Sequence, residues 1–185
     1  MPMIAIKIPE DISIQLNKIS ISGKKENLNE FHITLFYFEK INIEDILKTT
    51  ELLYKNCKKA SPFKVSFNKL SSFPKGDDGI PVILPVESND LILFRAKLAK
   101  NLDSNKIEYS KKFPNYSPHC TLAYLNKEIA PQEKKLNKIN FKVNEIIFYA
   151  GDNMDDGIIV KIPLGEISKN AGLLIWSELF NNISH

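Results

Sequence analysis

His32-Ile33-Thr34-Leu35 and His119-Cys120-Thr121-Leu122 are the two stretches whose reading decides this chain. Each opens a run rich in β-formers, His32 through Phe38 and His119 through Leu125, which predicts a strand. Successive side chains on a strand point to opposite faces, so His32 and Thr34 share one face while Ile33 and Leu35 share the other. The second stretch repeats this, with His119 and Thr121 on one side and Cys120 and Leu122 behind. Two of the chain's three histidines are therefore displayed in one format, each beside a hydroxyl able to donate or accept a hydrogen bond. The third, His185, is the last residue and is expected to fray. A lone histidine in a strand is ordinarily a satisfied structural residue. A polar His and Thr repeated on one strand parity needs partners or a ligand, and two imidazoles facing one cleft make an acid/base pair.

The flanking sequence repeats as well. A first unit reads as a strand near Met3–Ile8, a helix near Asp11–Ile19, the His32 strand, a helix near Ile43–Lys58 and a strand near Phe63–Leu70, punctuated by Pro9, Gly23 and Pro62. Asn42 is placed to cap the longer helix, with Glu44 and Asp45 in its first turn favouring the dipole. A second unit follows in the same order: a strand near Val82–Val86, a helix near Asp90–Leu102, the His119 strand, a short helix near Pro131–Lys138 and a strand near Phe141–Tyr149. Phe63-Lys64-Val65 opens the last strand of the first unit and Phe141-Lys142-Val143 opens its counterpart. An internal duplication is the simplest explanation, and its period is too long for a solenoid.

The expected architecture is α+β, a single domain over 1–164 built from two pseudo-symmetric lobes, about 1–75 and about 76–164, with terminal strands free to be exchanged between them. Gly151-Asp152-Asn153-Met154-Asp155-Asp156-Gly157 reads as a hairpin turn leading to a strand at Ile158–Ile162. The sequence argues against a calcium loop there, because the acidic residues fall out of step and Pro163 stands where the closing glutamate belongs. The tail over 165–185 carries Leu173, Leu174, Trp176, Leu179 and Phe180, an apolar set expected to dock as an amphipathic helix.

Composition bounds the function classes. Hydrophobic content of 43% and charged content of 25% belong to a soluble globular protein and argue against global disorder. Cys57 and Cys120 show no metal or redox spacing, so a reducing, cytoplasmic compartment is expected, that of a bacterium or of a host cell if the chain is phage-encoded. No apolar run approaches the roughly 20 residues of a membrane span. Met1–Lys7 lacks the charged start and long apolar core of a signal peptide. The net charge of +3 permits an anionic ligand without the dense basic stripe of a protein that wraps a DNA duplex. Paired lysines such as Lys24-Lys25 and Lys134-Lys135 read as solvated surface. Zinc catalysis ordinarily needs three protein ligands, and neither histidine belongs to an H-E-x-x-H or cysteine-rich pattern. A G-x-S-x-G elbow and a G-x-x-x-x-G-K-[ST] phosphate loop are both absent from the sequence, the latter counting against an ATP-driven ligase.

In its paired H-x-T-hydrophobic motifs the chain resembles the two-histidine (2H) phosphoesterase superfamily, from the first strand through about Leu164. Tyr116-Ser117-Pro118-His119-Cys120-Thr121-Leu122-Ala123-Tyr124 is similar to the stretch found in 2′-5′ RNA ligase-like proteins and in phage members. The resemblance implies a bilobal fold of antiparallel sheets flanked by helices, with the histidines facing a central groove. It also implies metal-independent, cofactor-free chemistry on cyclic phosphates or on phosphodiesters in oligonucleotides. Carried over, His32 and His119 are the acid/base pair and Thr34 and Thr121 bind phosphate oxygens. The chemistry is coherent in itself: cleaving a phosphodiester needs a base for the attacking hydroxyl or water, an acid for the leaving oxygen, and donors for the phosphoryl oxygens. Imidazole serves both proton roles near neutral pH.

Around this core, Tyr116 is a candidate for stacking on a base or for ordinary loop packing. Phe73, Lys75 and Lys111 are candidates for the groove's border. Strand parity sends Tyr37 and Tyr124 to the core unless a bulge intervenes, and Cys120 reads as a small core residue. The expected partner is a small nucleotide or oligonucleotide, with no membrane and no DNA duplex, and the chain is expected to act as a monomer. Candidate reactions are opening of a 2′,3′-cyclic phosphate, cutting of a 2′-5′ linkage, and cleavage of a cyclic oligonucleotide signal, as phage anti-CBASS phosphodiesterases do. The alternatives are a catalytically inactive RNA- or nucleotide-binding module, and 2′-5′ RNA ligation as the reverse reaction.

Overall fold

A computed structural model describes residues 1–21, 23–112, 114–126, 133–151, 159–166, 168, 172–177 and 179. The first strand, β1 (Met3–Lys7), is buried at every position except Lys7. Such a strand needs a neighbour on both edges and cover on both faces. It has β3 (His32–Tyr37) on one edge and β8 (Glu145–Tyr149) on the other, and β9 (Ile159–Pro163) completes an antiparallel sheet of order β3-β1-β8-β9. The other sheet has the order β2-β6-β5-β4-β7, formed by β2 (Lys24–Lys25), β4 (Phe63–Ser72), β5 (Ile80–Pro85), β6 (His119–Leu125) and β7 (Lys134–Val143). The mixed, antiparallel α+β architecture is the one the sequence implies.

Helices α1 (Glu10–Asn17), α2 (Ile43–Lys58) and α3 (Asn89–Ser104) start where local chemistry permits. The Asn42 side chain accepts from the Asp45 N–H at 2.8 Å, and the Ser88 hydroxyl accepts from the Leu91 N–H at 3.2 Å. Both caps satisfy an amide that the first helical turn leaves without a carbonyl. Helices α2 and α3 pack together, and Asn101 Nδ2 donates to Asn56 Oδ1 across the contact at 3.1 Å. One apolar core runs through both sheets, from Ile4 and Ile33 through Leu53 and Phe67 to Leu84, Leu98 and Phe148.

The chain changes sheet four times, on entering β2, β3, β4 and β8. From the first repeat, β4 enters the His119 sheet; from the second, β8 and β9 complete the His32 sheet. Phe63-Lys64-Val65 and its counterpart Phe141-Lys142-Val143 are direct antiparallel partners, Phe63 opposite Val143, Lys64 opposite Lys142 and Val65 opposite Phe141, the reciprocal pairing that equivalent segments make about a local two-fold axis. The strand expected over Phe141–Tyr149 is two strands in two sheets, divided at Asn144.

The helix expected near Pro131–Lys138 is a strand from Lys134 onward, residues 131 and 132 lying outside the described set. Its register shifts, with Phe67 and Lys69 facing Ile139 and Lys135, so β7 carries extra residues against β4. That irregularity leaves Leu136 and Ile139 both half-buried at a spacing that imitates a helix. The turn at 152–158 lies outside the described residues, while the strands on either side of it pair, Tyr149 opposite Ile159. In the tail, residues 172–177 are helical, and Ile175 and Leu179 are buried whereas Leu173 and Leu174 are exposed. The buried face therefore differs from the expected set, and Phe180 lies outside the described residues. Among the described residues no helix is long and apolar enough to cross a membrane.

Candidate active site

Strand β3 is the end strand of its sheet, and it packs against β6 of the other sheet. That contact brings the two histidine motifs together. His32 Nδ1 lies 2.6 Å from the carbonyl oxygen of Glu30, and His119 Nδ1 lies 2.7 Å from that of Ser117. In each case the carbonyl belongs to the second residue upstream. A carbonyl only accepts, so Nδ1 must carry the hydrogen in both rings. The neutral imidazole then has its lone pair on Nε2, where it can take a proton and, once protonated, return one.

Burial holds the His32 pKa below its ordinary value of 6.5, against the opposing pull of the Glu30 carbonyl and charge. Burial also lowers His119; the Ser117 carbonyl opposes this, and the positive charge of His32 lowers it further. The charge of His32 thus acts on His119. Phe73 contributes an apolar wall, its ring edge-on to the His119 imidazole with centroids 4.8 Å apart. Thr34 and Thr121 are half-buried beside their histidines, and Thr34 Oγ1 donates to the Tyr37 hydroxyl at 3.2 Å.

Strand parity alone assigns Tyr37 to the core, and here the structure corrects the expectation. Consecutive residues Ile4 and Ala5 face Phe36 and Thr34, leaving Leu35 as an extra residue in β3. In β6 the same shift occurs, since Ile83 and Val82 face Thr121 and Ala123 and leave Leu122 extra. Both bulges fall on the apolar residue that ends the H-x-T-hydrophobic motif. A bulge reverses the alternation beyond it, so Phe36 and Ala123 are buried, Tyr37 is exposed and Tyr124 is half-buried. The signal was present in the sequence, because both motifs extend to a tyrosine at the same offset, His-Ile-Thr-Leu-Phe-Tyr and His-Cys-Thr-Leu-Ala-Tyr.

The remaining candidates separate. Tyr116 is not an open stacking platform: its hydroxyl donates to the Thr34 carbonyl at 3.0 Å, and the Arg95 guanidinium lies over its ring, 4.1 Å from the centroid. Lys111 is engaged by the Asp103 carboxylate at 2.8 Å and lies over the Tyr109 ring. Lys75 is exposed just before the hairpin turn closed by Gly76 N–H and the Gly79 carbonyl at 2.9 Å. Cys120 is fully buried, and burial pushes its thiol up to about 12, so it stays protonated and is no nucleophile near neutral pH. Among the described residues no three His, Cys, Asp or Glu side chains gather as a metal ion requires.

The fold recurs in known proteins. The chain is similar in structure to the TT0787 protein of Thermus thermophilus, with a TM-score of 0.71 at 16% identity, over 90% of this chain and 100% of that one. A phosphoesterase gives a TM-score of 0.66 at 16% identity, covering 88% and 94% respectively. LigT of E. coli, solved in complex with 3′-AMP, gives 0.65 at 18% identity, covering 89% and 96%. No curated protein matches the chain. The family model for the 2′-5′ RNA ligase superfamily matches residues 9–154, a span holding both histidine motifs and both bulged strands, and the chain belongs to that superfamily, the 2H phosphoesterases.

Proposed function

We propose that this chain is a metal-independent phosphodiesterase that hydrolyses a phosphodiester in a small nucleotide or oligonucleotide, with His32 and His119 as the acid/base pair. The observation that carries the reading is the matched pair of Nδ1-to-carbonyl hydrogen bonds, which leaves both Nε2 atoms in the same chemical state on strands packed together. In the one-proton state one ring is neutral and accepts the proton of the attacking hydroxyl or water. The other is protonated and delivers its proton to the leaving oxygen. Two positive rings repel each other, as the effect of His32 on His119 indicates, and that repulsion favours the one-proton state.

Thr121 supplies a donor to the phosphoryl oxygens where negative charge develops, and Thr34 does the same when its single hydroxyl hydrogen turns from Tyr37 to the phosphate. Tyr37 and Tyr124, turned outward by the bulges, border the same face. The complex of LigT with 3′-AMP supports a nucleotide carrying a terminal phosphate as the product class. The enzyme is proposed to act as a monomer in a reducing, cytoplasmic setting, on a 2′,3′-cyclic phosphate, a 2′-5′ linkage or a cyclic oligonucleotide.

The test is a substrate screen in chelator, covering 2′,3′-cyclic mononucleotides, 2′-5′ oligoadenylates, and cyclic di- and trinucleotides, with products resolved by chromatography. Turnover that survives chelator and is lost in His32→Ala and in His119→Ala supports the reading, and the position of the residual phosphate names the leaving oxygen. Binding without turnover in the parent chain would instead make this a nucleotide-binding module, and loss of turnover in chelator would make it a metal hydrolase.

A further inference from the structure

Arg95 is the chain's single arginine among 25 basic residues. Its guanidinium lies between two aromatic rings, 4.7 Å from the Phe36 centroid and 4.1 Å from that of Tyr116, and its Nε donates to the Leu35 carbonyl at 3.3 Å. Leu35 is the extra residue of the β3 bulge. The adjoining carbonyl, that of Thr34, accepts the Tyr116 hydroxyl at 3.0 Å, and the Tyr37 carbonyl accepts the Ser110 N–H at 2.7 Å.

These three donors come from α3 and from the segment that runs into His119. They lie along β3, the end strand of its sheet, whose outer carbonyls have no neighbouring strand to serve them. The β6 bulge needs no such device, because the Leu122 carbonyl receives the backbone N–H of Glu26 at 2.9 Å, beside β2. A lysine could not replace Arg95, since an ammonium lacks both the flat face that stacks between two rings and a planar donor held in line with a carbonyl.

We propose that Arg95 and Tyr116 are positioning residues that clamp the β3 bulge and so set the spacing between the two histidine half-sites. Tyr116 is chemically suited to this, because it grips the backbone of Thr34 while standing on the same short segment as Ser117, whose carbonyl orients His119. Neither residue touches the reacting atoms. The clamp rests on the phosphodiesterase reading for its effect on rate, but not for its effect on the distance between the imidazoles.

Two experiments test it, each in the full chain and in variants whose thermal melts show them to be folded. The first compares kcat and KM for Tyr116→Phe and Arg95→Lys. Loss of alignment is expected to lower kcat about 10- to 100-fold with little change in KM. The loss should be smaller on a p-nitrophenyl phosphodiester, whose leaving oxygen needs little help from the acid; a merely destabilised protein would lose activity equally on both substrates. The second follows the His119 ring by NMR titration, with and without His32→Gln. Removing His32 should raise the His119 pKa in the parent chain, and by less in the Tyr116→Phe background. A folded Tyr116→Phe with unchanged kcat, or with undiminished coupling between the rings, would overturn the proposal. The titration reads the clamp even if no substrate is turned over, so failure of the clamp and failure of the phosphodiesterase reading remain distinguishable.

Discussion

At the scale of single residues, the proposed chemistry depends on which nitrogen of each imidazole is free. The Glu30 and Ser117 carbonyls bind Nδ1 and leave Nε2 for chemistry. Replacing either histidine by glutamine keeps a polar group but removes the titratable nitrogen, so His32→Gln and His119→Gln should each lower kcat about 10²- to 10⁴-fold, read by steady-state kinetics. The pH profile follows from the same environment. Burial shifts both rings downward, and the charge of His32 lowers His119 further, which separates the two protonation steps. The kcat/KM profile of the free enzyme should therefore be a bell lying on the acid side of an ordinary imidazole, narrowing to a single limb in either glutamine variant. Thr34→Val and Thr121→Val remove a hydroxyl while keeping shape, and should weaken binding of a nucleotide 2′- or 3′-monophosphate about 10- to 100-fold, since hydrogen bonds to charged groups contribute about 1.5–3 kcal/mol; calorimetric titration measures this directly.

At the scale of elements, what could be read from the sequence was what local chemistry dictates. Helix α2 begins and ends where expected, because Asn42 supplies a cap and the apolar residues recur with helical period. Asn42→Ala should therefore lower stability by about 1 kcal/mol, seen as a reduced melting temperature with kcat unchanged, as the Asn42 side chain bonds only to Asp45 among the described residues. The histidine strands were legible for a similar reason, and β6 has the expected limits. What escaped was register. A bulge inserts a residue without any residue type that demands it, so Leu35 and Leu122 look like ordinary strand positions and Tyr37 and Tyr124 are assigned to the wrong face. The start of β7 does not read as a strand because its largely exposed, mostly lysine run over 134–138 shows no apolar alternation. Arg95 was overlooked because its value lies in contacts with Phe36, Leu35 and Tyr116, which sequence distance conceals.

At the scale of the whole molecule, the repeated order of elements is legible in the sequence, whereas which strands change sheet is not. The recurring Phe-Lys-Val segments are both equivalent and adjacent, since Phe63 faces Val143 and Val65 faces Phe141 in a reciprocal register. With β4 in one sheet and β8 and β9 in the other, each sheet holds strands from both repeats, and a common core joins them.

Stability should consequently respond to the histidines as a property of the entire fold. Both folded pKa values lie below 6.5, the value expected in the unfolded chain. Above that pH the rings are neutral in both states and stability is complete. As pH falls below it, the unfolded chain binds protons first, so stability declines until the folded rings also titrate. Melting temperature should thus drop on acidification from neutral pH, and the His32→Gln/His119→Gln double variant should show a shallower drop. An unchanged slope would mean that other groups govern the acid response.

The most direct measurement of the central claim is a titration of the parent chain with a nucleotide 2′- or 3′-monophosphate, following the ¹⁵N resonances of both imidazoles. Convergence on one phosphate predicts that the Nε2 signals of His32 and His119 move together along a single binding curve, and that both pKa values rise as the anion stabilises the protonated rings. Movement of only one ring, or of the two with different binding curves, would contradict it.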